Sequence, residues 1–393
     1  MADTSVDGDV NVNLDLSGGH FGPYWANTLD AVIVFRDPDA DPTTSRTTDG
    51  GATWATQVDL EASNTKQIAA FFDKEVPSDD GDLVHIVWLD DAGDNFQYRT
   101  IDADTGTLGT LRTIEGTVVG IVAGADSHRV GICKTVGGNL LAFYETPSEI
   151  NTYRSVDAGV NWTSRADVNE TAGQVDWCLL FPAATEDDND ACALFWDVSA
   201  TEISIKMYDD SADTWTETTI LSSMVADAQN IAMDAAVRHS DGALFGAAHS
   251  DEDTTGDDLL TFTVFPNSIA SPTIDTGTAA VFTNQAASSQ VAMWINQQNN
   301  EVRAVYLKGG TWNDSVDVVF HISIDGMTSW GAEQAYSEAV ADDLRFVHAG
   351  RSAGANGGFY QPAFYNDDLG EIFVNLVNHT PIAAVLGRIF ITR

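Results

Sequence analysis

Short apolar runs bounded by Asp, Gly, Asn, Ser and Pro recur along the whole chain. None carries the sustained three-and-four spacing of an amphipathic helix. The clearest run recurs seven times, at residues 29–36 (LDAVIVFR), 83–89 (LVHIVWL), 140–145 (LLAFYE), 191–197 (ACALFWD), 243–249 (ALFGAAH), 302–307 (VRAVYL) and 372–377 (IFVNLV), with starts 51 to 70 residues apart. An inner-strand candidate precedes most of them, at 67–72, 118–123, 176–181, 231–237, 290–295 and 344–348. A further strand follows, as at 96–101, 151–155, 203–208 and 318–323, and then a shorter fourth, as at 57–61 and 217–221. Four antiparallel strands repeated about every 50 residues are the blade of a β-propeller.

The pattern therefore predicts an all-β chain. It reads as one domain over 1–393, a seven-bladed β-propeller with four-stranded antiparallel blades over 18–393. The last unit ends without an outer strand. The alternating stretch 9–16, within an N-terminal segment 1–17, is expected to supply it and so to remove a free sheet edge. A six-bladed ring is the alternative, because the last two units are the least regular.

Within this repeat an eight-residue turn returns. Thr47-Thr48-Asp49-Gly50-Gly51-Ala52-Thr53-Trp54 is followed by Ser155-Val156-Asp157-Ala158-Gly159-Val160-Asn161-Trp162. A third copy, Ser323-Ile324-Asp325-Gly326-Met327-Thr328-Ser329-Trp330, has its glycine displaced by one. Short Asp and Ser side chains can hold such a turn by bonding nearby backbone N–H groups, and glycine supplies a positive φ. The candidate turn-forming residues are Thr47, Asp49, Gly51, Thr53 and Trp54, then Ser155, Asp157, Gly159, Asn161 and Trp162, then Ser323, Asp325, Gly326 and Trp330. These copies resemble the Asp-box (BNR) repeat of sialidase-like β-propellers, and the resemblance implies that fold.

The same resemblance implies where to look for chemistry. Sialidases hold a substrate carboxylate with three arginines and use a tyrosine–glutamate pair as nucleophile. Phe35-Arg36-Asp37-Pro38 is similar to the family's first arginine motif, but Asp37 stands where that motif is apolar. Arg36 also ends a strand just before the turn, away from the innermost position. Arg238, Arg303, Arg345 and Arg351 carry no mark of a triad, and no Tyr–Glu pair can be named. The expectation is a non-catalytic relative, with no catalytic residue.

Other candidates are weaker. Asp251-Glu252-Asp253-Thr254-Thr255-Gly256 resembles the start of a calcium loop, with Asp251, Asp253 and Thr255 as the oxygen donors. Phe262 stands where the bidentate glutamate is needed, so the expectation is no metal and no cofactor, with Ca²⁺ the sole candidate. Trp312, Tyr360 and Tyr365 are candidate glycan contacts because aromatic faces stack on sugars. Cys133, Cys178 and Cys192 sit among apolar neighbours and read as buried thiols, although Cys178 and Cys192 fall in adjacent strands where a bridge stays open.

Charge changes the picture most. The chain of 393 residues carries 45 Asp, 14 Glu and only five Lys, for a net charge of −41. The acid is dispersed, so it is a surface property. Such a surface repels nucleic acid and other anions and destabilises its own compact state at low ionic strength. It fits a high-salt setting.

No apolar stretch approaches a membrane span, and 1–7 has no basic or apolar character of a signal peptide. Together these features read as a non-catalytic interaction or structural propeller. The placement expected for it is a virion, as an accessory, decoration or host-recognition protein of a tailed virus. Its partners would be other proteins, virion proteins among them, or a host-surface glycan. The cytoplasm of a halophile is the other location. The other function is a glycan-binding protein or glycoside hydrolase of the sialidase-like superfamily.

Screening makes the charge testable. The Debye length falls from about 30 Å at 0.01 M to about 3 Å at 1 M salt. A thermal melt series over that range is expected to show Tm rising steeply; a flat series contradicts the high-salt reading.

Overall fold

The computed structural model describes residues 4–7, 20–37, 39–63, 65–90, 93–118, 130–146, 149–168, 177–197, 200–224, 233–250, 257–276, 282–285, 291–308, 317–335, 344–348, 352–353, 363–366 and 371–374. All structural statements concern these residues. Their strands fall into seven sheets, each built on an antiparallel meander, with one short parallel strand added to the sixth.

The first sheet is His20–Trp25, Ala31–Arg36, Pro42–Thr47 and Val58–Asp59. The second is Thr65–Phe72, Leu83–Asp90, Asn95–Asp102 and Arg112–Gly116, and the third is Val130–Lys134, Leu140–Thr146, Glu149–Ser155 and Thr163–Val168. The fourth is Trp177–Pro182, Ala191–Asp197, Glu202–Asp209 and Thr214–Ser222. The fifth begins Met233–Val237, Leu244–Ser250 and Asp257–Phe265, whose outer edge takes both Thr273–Asp275 and Phe282–Gln285. The sixth is Val291–Asn296, Glu301–Lys308, Asp317–Ser323 and Gln334–Ala335. The seventh is Leu344–His348, Ala363–Asn366, Glu371–Val374 and, from the other end of the chain, Thr4–Asp7.

Each sheet packs on the next in chain order, and the inner strands of the seventh and first, Leu344–His348 and His20–Trp25, meet. The protein is an all-β propeller.

Face-to-face packing follows from strands that are apolar on both faces. Ala191–Asp197 is buried at every position, and Ala31–Arg36 and Leu83–Asp90 nearly so. The core is accordingly not one ball but a set of layers between sheets. One layer joins the first and second sheets (Tyr24, Val34, Ile68, Trp88) and another the second to the fourth (Phe71, Phe96, Phe143, Phe195). Two more join the fourth to the fifth (Trp196, Ile205, Met233, Phe262) and the fifth to the sixth (Phe245, Met293, Tyr306). Each fully buried Val, Leu or Phe contributes about 1.5–3 kcal/mol.

Several sequence expectations are corrected. Of the 118–123 expected to form the inner strand of the third sheet, 119–123 lie outside the described residues; that place is taken by Val130–Lys134. The run is less apolar, but the short turn 135–139 lets it pair at once with Leu140–Thr146, from Lys134 opposite Leu140 to Val130 opposite Tyr144. In the seventh sheet, Glu371–Val374 takes the third place, not the second, which belongs to Ala363–Asn366. The N-terminal segment does supply the outermost strand of this sheet, through Thr4–Asp7, while 9–16 lies outside the described residues. Cys178 faces Phe195 and Cys192 faces Phe181, so the two thiols are out of register, and all three cysteines are free and buried.

The three eight-residue turns join third to fourth strands and share one hydrogen-bond set. The Ser155 hydroxyl donates to Asp157 Oδ1 (2.9 Å) and accepts from the Gly159 N–H (2.9 Å). Asp157 in turn accepts from the Asn161 N–H (2.8 Å) and the Asn161 side-chain amide (2.7 Å). Thr47, Asp49, Gly51 and Thr53 repeat the pattern, as do Ser323, Asp325, Met327 and Ser329. Each turn needs two consecutive positive φ values: Gly50 and Gly51 (75°, 86°), Ala158 and Gly159 (56°, 84°), Gly326 and Met327 (70°, 66°). The displaced glycine of the third copy thus keeps the turn, with Met327 accepting the second left-handed position.

The bonds from Thr53, Asn161 and Ser329 hold Asp49, Asp157 and Asp325 below the usual carboxylate range. Their contribution is present above the unfolded value and is lost as pH falls through the lowered one.

Gly159 carries a second constraint, because a Cβ there would lie 2.1 Å from Tyr98 Cε1 of the preceding sheet. Gly159→Ala combines backbone strain with overpacking and is expected to cost about 2–5 kcal/mol. Ala158→Gly, which relieves a positive φ, should stay within about 1 kcal/mol of wild type. Equal Tm losses for the two variants would contradict this account.

Candidate functional site

Successive turns of a meander alternate between the two ends of a sheet. The first-to-second-strand loops and the eight-residue turns therefore share one end of the ring. On that end, polar side chains from separate sheets converge beside the axis.

The inner strand Thr65–Phe72 ends in a single 3₁₀ turn, Asp73–Glu75, closed by the Val76 N–H donating to Asp73 O (2.9 Å). This fixes the Asp73 carboxylate under its own sheet. Asp73 Oδ1 lies 2.9 Å from His85 Nε2 and accepts from Lys134 Nζ at 2.8 Å. His85 Nδ1 is 2.8 Å from the Tyr98 hydroxyl, and Tyr98 packs edge-on to Trp162 of the third sheet. Lys134, at the end of the third sheet's inner strand, also bonds Asp79 Oδ2 at 2.7 Å. Beside it Lys74 reaches Asp82 Oδ1 at 2.5 Å and the Ala26 carbonyl of the first sheet.

Burial pushes Asp73 up, but its bonds and charge contacts with His85 and Lys134 outweigh that and hold it below the usual carboxylate value. The same balance raises Lys134: burial lowers it, and Asp73 and Asp79 more than compensate. Burial, with Asp73 nearby, keeps the Tyr98 phenol protonated.

Two further loops reach this cluster. His239, in the loop after the fifth sheet's inner strand, lies against the Lys74 main chain and near Asp79. Its N–H donates to Gln297 Oε1 of the sixth sheet (2.8 Å). Ser352–Ala353, inserted in the seventh sheet's first connection, pairs in parallel with the sixth sheet's inner strand and touches Asp73–Glu75. Segments from the second, fifth, sixth and seventh sheets thus meet across this end of the axis.

An Asp–His–Tyr chain is an arrangement that can move protons. Here the His85 and Asp73 side chains are each only 4% exposed, so no substrate reaches them. The cluster is a latch between sheets.

Of the arginines named from sequence, those described are each held within their own sheet. Arg36 ends the second strand of the first sheet, as its position suggested. Arg238 is bidentate with Asp241 (2.8 and 2.5 Å) and lies over Phe245. Arg303 is bonded to Glu301 and sandwiched by Trp294 and Phe320. Arg345 lies in Leu344–His348, and Arg351 lies outside the described residues.

Tyr–Glu contacts do exist, although sequence reasoning could not name them because they bridge strands. Tyr306 donates to Glu333 Oε2 at 3.0 Å and Tyr153 to Glu115 Oε2 at 3.4 Å. Both glutamates lie toward the outer edges of their sheets, away from the axis. For Tyr306, burial and then the Glu333 charge raise the phenol, the opposite of what a phenolate nucleophile requires.

Asp251, Asp253, Thr255, Trp312 and Tyr360 lie outside the described residues, and Tyr365 is described only as part of Ala363–Asn366. Among the described residues no group of three or more His, Cys, Asp or Glu is placed to hold a metal ion. No helix among the described residues is long and apolar enough to cross a membrane.

No protein family matches the sequence, and no curated protein matches it. Solved structures do share the fold. A polysaccharide lyase of family PL25, an ulvan lyase, superposes with a TM-score of 0.56 at 11% identity, over 95% of this chain and 94% of its own. The ulvan lyase bound to -[GlcA(1-4)Rha3S]- gives 0.52 at 11% identity over the same shares. AofleA from Arthrobotrys oligospora gives 0.50 at 12% identity, over 83% of this chain and 88% of its own. At such identities the likeness is one of fold.

The latch makes a definite prediction. Asp73→Asn removes the buried carboxylate that His85 and Lys134 share, leaving Lys134 only Asp79, and is expected to cost about 3–5 kcal/mol at neutral pH. The lowered Asp73 contributes stability above its unfolded value, about 3.9, and loses it as pH falls through the folded value. Denaturant titrations should therefore show wild type and variant converging at acid pH; a constant gap at all pH values would show that the charge is not what matters.

Proposed function

We propose that this chain is a carbohydrate-binding β-propeller without catalytic chemistry. The observation that carries the reading is the likeness to an ulvan lyase along nearly the whole of both chains. It supports a glycan-directed ring over the virion placement, which no structural observation favours. A shared fold does not bring a shared site, so the chemistry is argued from this chain. Its Asp73–His85–Tyr98 chain is sealed from solvent, Tyr306 is held protonated, and Arg238 and Arg303 are neutralised by their own carboxylates. The net charge of −41 disfavours uronate and sulfate groups, such as those of the saccharide bound in the ulvan lyase, and favours neutral glycans.

Two structural readings accompany the proposal. The three eight-residue turns serve as Asp-box staples of a sialidase-like propeller, since each spends its Ser/Thr and Asp oxygens on its own backbone. The ring has seven blades, one per sheet, because the sheets touch in sequence order and the seventh touches the first. A six-bladed ring is the alternative. An experimental map viewed down the axis checks the count.

The function is tested on the purified protein with a panel of neutral, uronic and sulfated oligosaccharides. Binding is followed by calorimetry and products by mass spectrometry. Retention of neutral members without new reducing ends or unsaturated products is expected. Cleavage products overturn the non-catalytic half of the reading, and absence of binding to any neutral member overturns the glycan half.

A further inference from the structure

The boundaries between sheets, followed around the rim, are not equally filled. At the boundary of the second and third sheets, Trp162 from the third sheet's turn stands edge-on to Tyr98, and Gly159 closes on the same ring. At the next boundary, Trp215 donates its indole N–H to the Ala166 carbonyl (2.9 Å). There Arg165 bonds the Tyr208 hydroxyl (2.7 Å) and the Asp210 carbonyl (2.8 Å). In both cases a tryptophan at the end of the following sheet's third-to-fourth-strand turn covers the outer strands of the sheet before it.

Between the first and second sheets that tryptophan is missing. The second sheet's turn runs Asp102-Ala103-Asp104-Thr105-Gly106-Thr107-Leu108 and carries no large aromatic ring. An open groove of about 340 Å³ lies there, lined by Arg46, Thr48, Thr53, Trp54, Thr56 and Val58 of the first sheet and by Thr105 and Gly106 of the second. Its size is near the lower end of sites that hold small molecules.

The chemistry of the lining is mixed in a way that matters. Val58 is 49% exposed and Trp54 partly so, which gives an apolar surface. The exposed Thr48 and Thr56 hydroxyls have no hydrogen-bond partner among the described residues and can each donate and accept. Arg46 is fixed by Asp30 Oδ1 (2.5 Å) and by the Ala103 and Asp104 carbonyls, which spends Nε and Nη2 and leaves Nη1 with no acceptor among the described residues. Its charge is already answered by Asp30, and exposed Asp49 and Asp104 stand nearby. The groove therefore offers two free hydroxyls, one held guanidinium and an apolar patch but no surplus positive charge.

We propose that this rim groove between the first and second sheets is a binding site for a neutral saccharide. Sugar rings combine hydroxyl groups with apolar C–H faces, and the lining matches both. The absence of surplus positive charge excludes uronates and sulfated sugars. A smaller groove of about 240 Å³ occupies the equivalent position between the fifth and sixth sheets, lined by Thr261, Phe262, Thr263, Asp275, Gly326, Met327 and Thr328. It has no arginine and fewer polar side chains, so the first groove is the site assigned.

The inference rests on the carbohydrate-binding reading, and the experiment separates the two. The neutral trisaccharides of the panel are titrated into wild type and into two variants whose fold is checked by circular dichroism and Tm. Thr56→Trp fills the first groove, and Thr328→Trp fills the second. Thr56→Trp is expected to weaken binding at least about tenfold, while Thr328→Trp leaves it within about twofold. The double variant Thr48→Val/Thr56→Val keeps the groove's shape, loses both free hydroxyls, and should weaken binding about three- to tenfold. If wild type binds and Thr56→Trp binds equally well, the groove assignment is overturned and the carbohydrate reading stands. If wild type binds no neutral member, both are overturned.

Discussion

A sheet that is apolar on both faces cannot exist alone in water, and this constraint organises the molecule. Ala191–Asp197 is buried along its entire length, and the second strands of the neighbouring sheets nearly so. Each sheet needs a neighbour on either side, and a stack of such sheets would expose two outer faces. Bending the stack into a circuit removes them. The remaining liability is the outer edge of the last sheet, and the chain answers it by bringing Thr4–Asp7 alongside Glu371–Val374. Ring closure, inter-sheet core and the use of the N-terminus are thus one solution to one problem.

Electrostatics then decides what such a ring can tolerate. A surface at −41 pushes its parts away from one another, so contacts between sheets must supply local cations where carboxylates are buried. Lys134 does this for Asp73 and Asp79, and Arg154 does it for Asp210 with two bonds of 2.7 Å. Where no cation is supplied, the carboxylates shift instead. Asp37 and Asp41, beside one another at the end of the first sheet's second strand, are both raised, first by burial and then by their mutual or neighbouring negative charge. Among the described residues Lys134, Arg154, Arg165, Arg238 and Arg303 are committed to carboxylates of the protein in this way.

How much of this was legible in the sequence depends on how local the signal is. Alternation located most strands, because a strand's two faces are written in consecutive residues. The turns were legible for the same reason, since Ser155, Asp157, Gly159 and Asn161 lie within seven residues of one another. Val130–Lys134 was missed because its place is set by pairing across 135–139 rather than by its own apolar content. The order of the seventh sheet was misread because Ser352–Ala353 leaves that sheet to pair with the sixth, and only the long spacing before 372 hinted at an insertion. The latch was invisible: Asp73 and Lys134 are 61 residues apart, and nothing in either neighbourhood marks the other.

The rim groove shows a further way in which sequence carries information, through the erosion of a pattern. A complete turn with its tryptophan covers the sheet before it, as Trp162 does over Tyr98. A turn that keeps its aspartate and glycine but loses the tryptophan still closes, because Asp102 Oδ1 accepts the Asp104 and Thr105 N–H groups (3.0 and 2.8 Å) and Gly106 takes the positive φ of 75°. The backbone is therefore held by the polar half of the motif and the boundary by the aromatic half, and the two can be lost separately. Where the second is lost, between the first and second sheets, the wider of the two rim grooves lies beside a turn that still closes. That separability gives a rigid staple fold room to acquire a ligand site: Thr48 and Thr56, which would line it, face solvent because neither turn depends on them, while Arg46 is held between Asp30 and the Ala103 and Asp104 carbonyls.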